Sequence, residues 1–105
     1  MANKFEIAEL ARADLKAIWT YFAEFNQNSA DKFMRRLAKK FQLLADNPKL
    51  GRSHDEILLD LRSFPYKNYT IFYLPIENGV EIYRVLHGAR NVEDLFENYF
   101  EGLKP

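Results

Sequence analysis

Arg84, His87 and Arg90 fall within one short stretch, residues 80–91 (VEIYRVLHGARN). Arginines gathered around a histidine can stabilise a phosphorane-like transition state while the imidazole moves a proton. With Arg62 added, and Tyr66 and Tyr83 nearby in sequence, the set would suit a ribonuclease that needs no metal, with Arg62, Arg84 and His87 as its working groups. A structural reading stands beside it. Arg84 can span a sheet and pair with a carboxylate such as Asp60 or Glu81, and His87 can do no more than shape the turn at Gly88. Residue types alone leave both open.

Other chemistries find no support. The chain has no cysteine, so disulfides, thiolate metal sites and a cysteine nucleophile are excluded. Its two histidines, His54 and His87, belong to no paired ligand motif, and no metal is expected. No glycine-rich phosphate loop is present, and no cofactor is expected. Ser53, His54 and Asp55 are neighbours in sequence, but triad members must meet in space, so this run reads as loop.

The elements that must position these groups follow from periodicity. Residues 4–8 (KFEIA) alternate and read as a first strand. From Leu10 to Phe25, Leu15, Ile18, Trp19 and Phe22 recur at helical spacing, although no capping side chain precedes Leu10. A turn at residues 26–29 leads to a second helix over 30–45, capped by Asn28 or Ser29, with Phe33, Leu37, Phe41 and Leu44 on its apolar stripe. So short a turn predicts an antiparallel helical hairpin. Residues 49–56 form a loop. Residues 57–64 (ILLDLRSF) read as the second strand, 69–74 (YTIFYL) as the third, ended by Pro75, and 80–87 as the fourth, entered through Asn78-Gly79. A short acidic helix is expected over 91–99. The result is one α+β domain over residues 1–105, β-α-α-β-β-β, with the hairpin on one face of a small antiparallel sheet and the other face relatively open. In such a meander the ends of the second and fourth strands share one end of the sheet, which would bring Arg62 toward His87.

Charge sharpens the expectation. The 15 basic and 15 acidic residues cancel, whereas a phosphate-gripping protein usually needs a basic excess, so direct nucleic-acid binding by the chain alone is not expected. The charge is unevenly placed: residues 31–52 carry a net +5 and residues 91–105 a net −3. The basic segment is either a solvated helix face or a docking face for an acidic partner at Arg35, Arg36, Lys39 and Lys40. No apolar run approaches about 20 residues, and MANKFEIAEL lacks the core of a secretory signal, so no membrane span and a cytoplasmic location are expected.

Five pieces together resemble the ParE branch of the ParE/RelE toxin superfamily: ADLKAIWTYF at 13–22, the second helix, PKLGR at 48–52, LRSFPYKNYTIFY at 61–73 and VEIYRVLHGAR at 80–90. The resemblance implies the RelE/ParE fold, a toxin that halts growth, and a cognate antitoxin whose C-terminal segment wraps and neutralises it. It implies DNA gyrase as target, or, for the RelE branch, ribosome-dependent mRNA cleavage. The polar positions it carries over are Arg52, Arg62, Arg84, His87 and Arg90, as binding positions for target or partner. Zero net charge and an acidic tail, in which Glu97 and Glu101 flank Tyr99, favour the gyrase-directed branch over a nuclease; a degenerate toxin that only binds antitoxin is the third reading. Asn91 stands where an aspartate would be expected, and the absent cap before the first helix is a second departure.

Overall fold

A computed structural model describes residues 3–88. Arg90, the expected tail helix and Tyr99 with its acidic neighbours lie outside the described residues. The elements run β1 (Lys4–Ile7), α1 (Glu9–Ala23), α2 (Gln27–Asp46), β2 (Arg52–Ser53), β3 (Arg62–Tyr66), β4 (Tyr69–Ile76) and β5 (Gly79–His87). They form one five-stranded sheet in the order β1-β5-β4-β3-β2, with β4 at its centre.

The three-strand meander is antiparallel as expected, and β1 adds a parallel strand against β5, Lys4 facing Gly79 and Ile7 facing Ile82. That pairing is possible because the chain crosses over the sheet through both helices before it returns. The first helix begins without a side-chain cap. Ala8 is extended and its amide donates to the Ile82 carbonyl at 2.9 Å, so the strand it leaves secures the start. The second helix starts earlier than its apolar stripe suggests. Asn26, rather than Asn28 or Ser29, is the cap, its side chain accepting from the Ser29 amide.

The second strand needs correction. It runs over Arg62–Tyr66, not 57–64, and Ile57–Leu61 form a tight turn held by amides of Ile57 and Leu58 donating to the His54 carbonyl. Asp60 has φ 68°, which no strand tolerates. Pro65 and Tyr66 belong to the strand, and Lys67-Asn68 is the whole turn. Pro75 likewise sits inside β4 instead of ending it. It lies beyond the last β3 pair at Tyr73, where the absent N–H breaks no ladder.

The main core lies between the helices and the sheet. Leu37, Phe41, Leu44, Ile71, Tyr73, Val80, Ile82 and Val85 are buried there, and Phe22 and Phe33 pack against them. Trp19 sits at the helix crossing instead, half-buried, its indole N–H donating to Asp31 at 2.8 Å. The other face is less open than expected: Leu61 and Phe72 are buried beneath Ile57 and Leu58 of the turn. In β5 the register slips by one, so that Phe72 faces Arg84 while Tyr73 faces Ile82. The extra residue is Tyr83. This bulge changes the parity of the strand, so Val85 joins Val80 and Ile82 in the helix-side core and Arg84 stays out of it.

Candidate functional site

Arg84 leaves the bulge toward α1 and meets Asp14. Its Nε donates to Oδ2 at 2.8 Å and an Nη to Oδ1 at 3.0 Å, and the Val85 amide donates to the same Oδ2 at 3.0 Å. The carboxylate is therefore bidentate toward the guanidinium and also satisfies a strand amide. Its hydrogen bonds hold the Arg84 proton more tightly than usual, against the opposing effect of burial. The expected partners were Asp60 or Glu81. Neither is used: Arg84 lies opposite Phe72 and reaches Asp14 of α1 instead.

Arg62 has internal partners too. Its guanidinium donates to the carbonyl of Gly51 at 2.7 Å and to that of Lys49 at 3.3 Å. The Tyr73 hydroxyl completes the arrangement: it donates to the Pro48 carbonyl at 2.8 Å and accepts from the Gly51 amide at 2.7 Å. Burial raises the Tyr73 hydroxyl above its ordinary range. Residues 48–51, which leave α2, are thus stitched to β3 and β4 by two side chains. His54 lies beside this knot, 4% exposed, with Nε2 2.7 Å from Ser63 Oγ and Nδ1 3.7 Å from Glu56. Its backbone also anchors the turn over Phe72, and the imidazole is a buried strut of that turn.

The expected approach of Arg62 to His87 does not occur. Arg62 begins β3 and faces Tyr73, whereas His87 ends β5 and faces Tyr69. Those positions on β4 are four residues apart, roughly 13 Å along the strand. The start of β3 at residue 62 instead of 57 is the cause, since it puts Arg62 at the opposite end of its strand. His87 joins a different group. Its ring is edge-on to Tyr69, 5.1 Å between centroids, and lines a groove with Tyr21, Phe22 and Asn68. Arg52, on the edge strand β2, is exposed. Arg90 is outside the described residues.

Arg35, Arg36 and Lys39 are exposed on α2, and Lys40 lies across the Tyr66 ring, 5.6 Å from its centroid. Arg36, Lys39 and Lys40 line a surface depression with Tyr66 and Lys67 of the β3–β4 hairpin. Lys67 was not singled out from sequence, and only the folded hairpin brings it to α2. Asp14 and Tyr73 were missed as well. Asp14 is 70 residues from Arg84, and nothing local links them.

Chemically, then, the candidate residues are dispersed. Two arginines hold the fold, one histidine lines an aromatic groove, and a basic depression lies on the hairpin side of α2. No cluster of metal-binding side chains occurs among the described residues, and no helix of theirs is long and apolar enough to cross a membrane.

A family model for the ParE toxin of type II toxin–antitoxin systems (parDE) matches residues 5–92. Toxin ParE1 of Mycobacterium tuberculosis is 28% identical over 95 residues, covering 89% of this chain and 97% of that protein. Toxin RelE2 of Caulobacter vibrioides is 35% identical over 80 residues, covering 76% and 89%. The solved chromosomal ParDE TA system from P. aeruginosa shares the fold, with a TM-score of 0.67 over 84% of this chain and 98% of that one at 16% identity. With the family match running from β1 past the end of β5, the chain belongs to the ParE toxins of type II toxin–antitoxin systems.

Proposed function

We propose that this toxin acts in the cytoplasm by binding and inhibiting DNA gyrase, and that a cognate antitoxin neutralises it. The observation that carries this reading is the use made of the arginines. Arg84 is bound to Asp14 and Arg62 to two backbone carbonyls, and Arg62 is at the opposite end of β4 from His87. A nuclease needs its acid, base and charge-stabilising groups around one reacting phosphate. A protein that inhibits by binding needs a shaped surface, to which the exposed Arg52 and His87 can contribute contacts.

The test is a gyrase supercoiling assay with purified, antitoxin-free protein beside a ribosome-dependent mRNA cleavage assay. Blocked supercoiling with intact mRNA is the expected result. Cut mRNA with unaffected gyrase would replace this reading with a RelE-like ribonuclease using Arg62, Arg84 and His87. The 35% identity to a toxin named RelE2 gives that alternative its standing. Normal growth on expression of the chain alone would point to a degenerate toxin.

A further inference from the structure

We propose that Asn78, at the tip of the β4–β5 hairpin, is a site of spontaneous covalent modification: it closes on the Gly79 nitrogen to give an isoaspartyl linkage, and that linkage releases β1 from the sheet.

The first argument is the chemistry of the pair. Asn78 is the one asparagine in the chain followed by glycine. The Gly79 nitrogen can attack the Asn78 side-chain carbonyl carbon with no Cβ beside it to obstruct the approach. The N–Cγ bond forms, the Cγ–Nδ2 bond breaks, and the proton of the attacking nitrogen leaves with the side-chain nitrogen as ammonia. Water then opens the imide ring. Opening at the former main-chain carbonyl leaves that carbon as a carboxylate and routes the main chain through Cγ, one carbon longer. Opening at Cγ gives ordinary aspartate. Water is the only co-reactant.

The second argument is access. Asn78 is exposed, and its side chain makes no hydrogen bond among the described residues, whereas those of Asn26 and Asn47 are held by the Ser29 amide and the Leu43 carbonyl. Asn47 also precedes Pro48, whose nitrogen carries no proton to give up. Gly79 and Ile76 are the terminal pair of the β4–β5 ladder, and β1, four residues long, is the edge strand beside them. Terminal pairs and short edge strands open at the lowest cost, so the nitrogen is freed without unfolding the core.

The third argument is what the linkage disturbs. The Asn78 carbonyl accepts from the Lys4 amide at 2.9 Å. Gly79 lies opposite Lys4, so close that a Cβ there would fall 1.7 Å from the Lys4 carbonyl oxygen. The isoaspartyl form takes the Asn78 carbonyl out of the main chain and lengthens the turn at this contact. The parallel register, which starts at Lys4 and Gly79 and runs to Ile7 and Ile82, then loses its first pair. Phe5, whose ring meets Phe41 edge-on at 5.5 Å, leaves the core with the strand.

The experiment ages the purified full chain in mildly alkaline buffer, native and in urea, beside the Asn78→Gly variant. Glycine adopts the φ of 64° at this position without strain and has no side chain to close. Peptide mass spectrometry reads the exchange of ammonia for water, isoaspartyl methyltransferase labelling reads the linkage, and hydrogen exchange reads β1. In native buffer Asn78 is expected to convert at least about tenfold faster than the exposed Asn68, whose neighbour Tyr69 has a Cβ to obstruct attack. Protection of residues 4–7 is expected to be lost in proportion to the isoaspartate formed, and the Asn78→Gly protein to keep it. Conversion in urea but not in native buffer would overturn the proposal, since the folded turn would then shield the pair. No conversion in either would overturn it as well. Isoaspartate with residues 4–7 still protected would overturn the release of β1.

Discussion

Replacing Asp14 with alanine strands two groups at once, the Arg84 guanidinium and the Val85 amide. Hydrogen bonds to charged groups contribute about 1.5–3 kcal/mol, and the pair is partly solvated, so a loss of about 2 kcal/mol is expected. Urea unfolding should show a lower midpoint with an unchanged slope. Arg84→Lys, with Asp14 intact, should keep only part of this stabilisation, because one ammonium cannot reproduce a bidentate fork. Tyr73 gives a prediction in pH. Its hydroxyl, ordinarily near 10.0, is raised by burial, and so is that of Tyr69. A raised folded value means that the folded state keeps its proton longer than the unfolded state. The stabilisation is complete below the unfolded value and declines as pH rises above it. Stability should therefore fall above about pH 10, and Tyr73→Phe should flatten that fall while lowering stability at neutral pH. A variant with the same alkaline slope as the parent would contradict the assignment.

At the scale of elements, the parallel contact of β1 depends on Gly79. A Cβ there would sit 1.7 Å from the Lys4 carbonyl oxygen. Gly79→Ala should cost at least about 2 kcal/mol, since backbone atoms cannot move aside as a flexible side chain would. Hydrogen exchange should locate the loosening in residues 4–7 before it reaches β4. His54→Ala should instead loosen the turn over Leu61 and Phe72 and leave the helix-side core protected. Both helices and the central strand were legible because each carries a long single-period pattern: Phe33, Leu37, Phe41 and Leu44 in one case, apolar residues on both faces of residues 69–74 in the other. Ile57, Leu58 and Leu59 misled for a physical reason. A turn that covers a sheet face must itself be apolar, and over so few residues it resembles a strand. The cap at Asn26 was missed because polar residues fill the whole turn. The β5 bulge has no sequence signature, yet it sets the parity of the strand around Arg84.

For the whole molecule, segregated charge and a zero net balance predict weak colloidal stability. Solubility should be lowest near the pI of about 6.7 and should rise with moderate salt, which screens attraction between the basic flank of one copy and acidic surface on another. Light scattering across pH and salt would check this; insensitivity to salt would mean that the basic flank is masked. The family was legible from the order of its sequence pieces. The roles of its arginines were not, because Arg62 and Arg84 take their meaning from partners 11 and 70 residues away.

The knot that joins residues 48–51 to the sheet has an evolutionary consequence. A Cβ on Gly51 would lie 2.5 Å from the Tyr73 hydroxyl oxygen and 2.8 Å from the ring itself. A smaller residue at position 73 would not admit one, because the Ser63 backbone carbonyl oxygen would lie 2.7 Å from the same Cβ. In natural variants glycine should therefore persist at position 51 whatever residue stands at position 73. The exit from α2 would then be inherited as a fixed corner around which the side chains at positions 62 and 73 can vary.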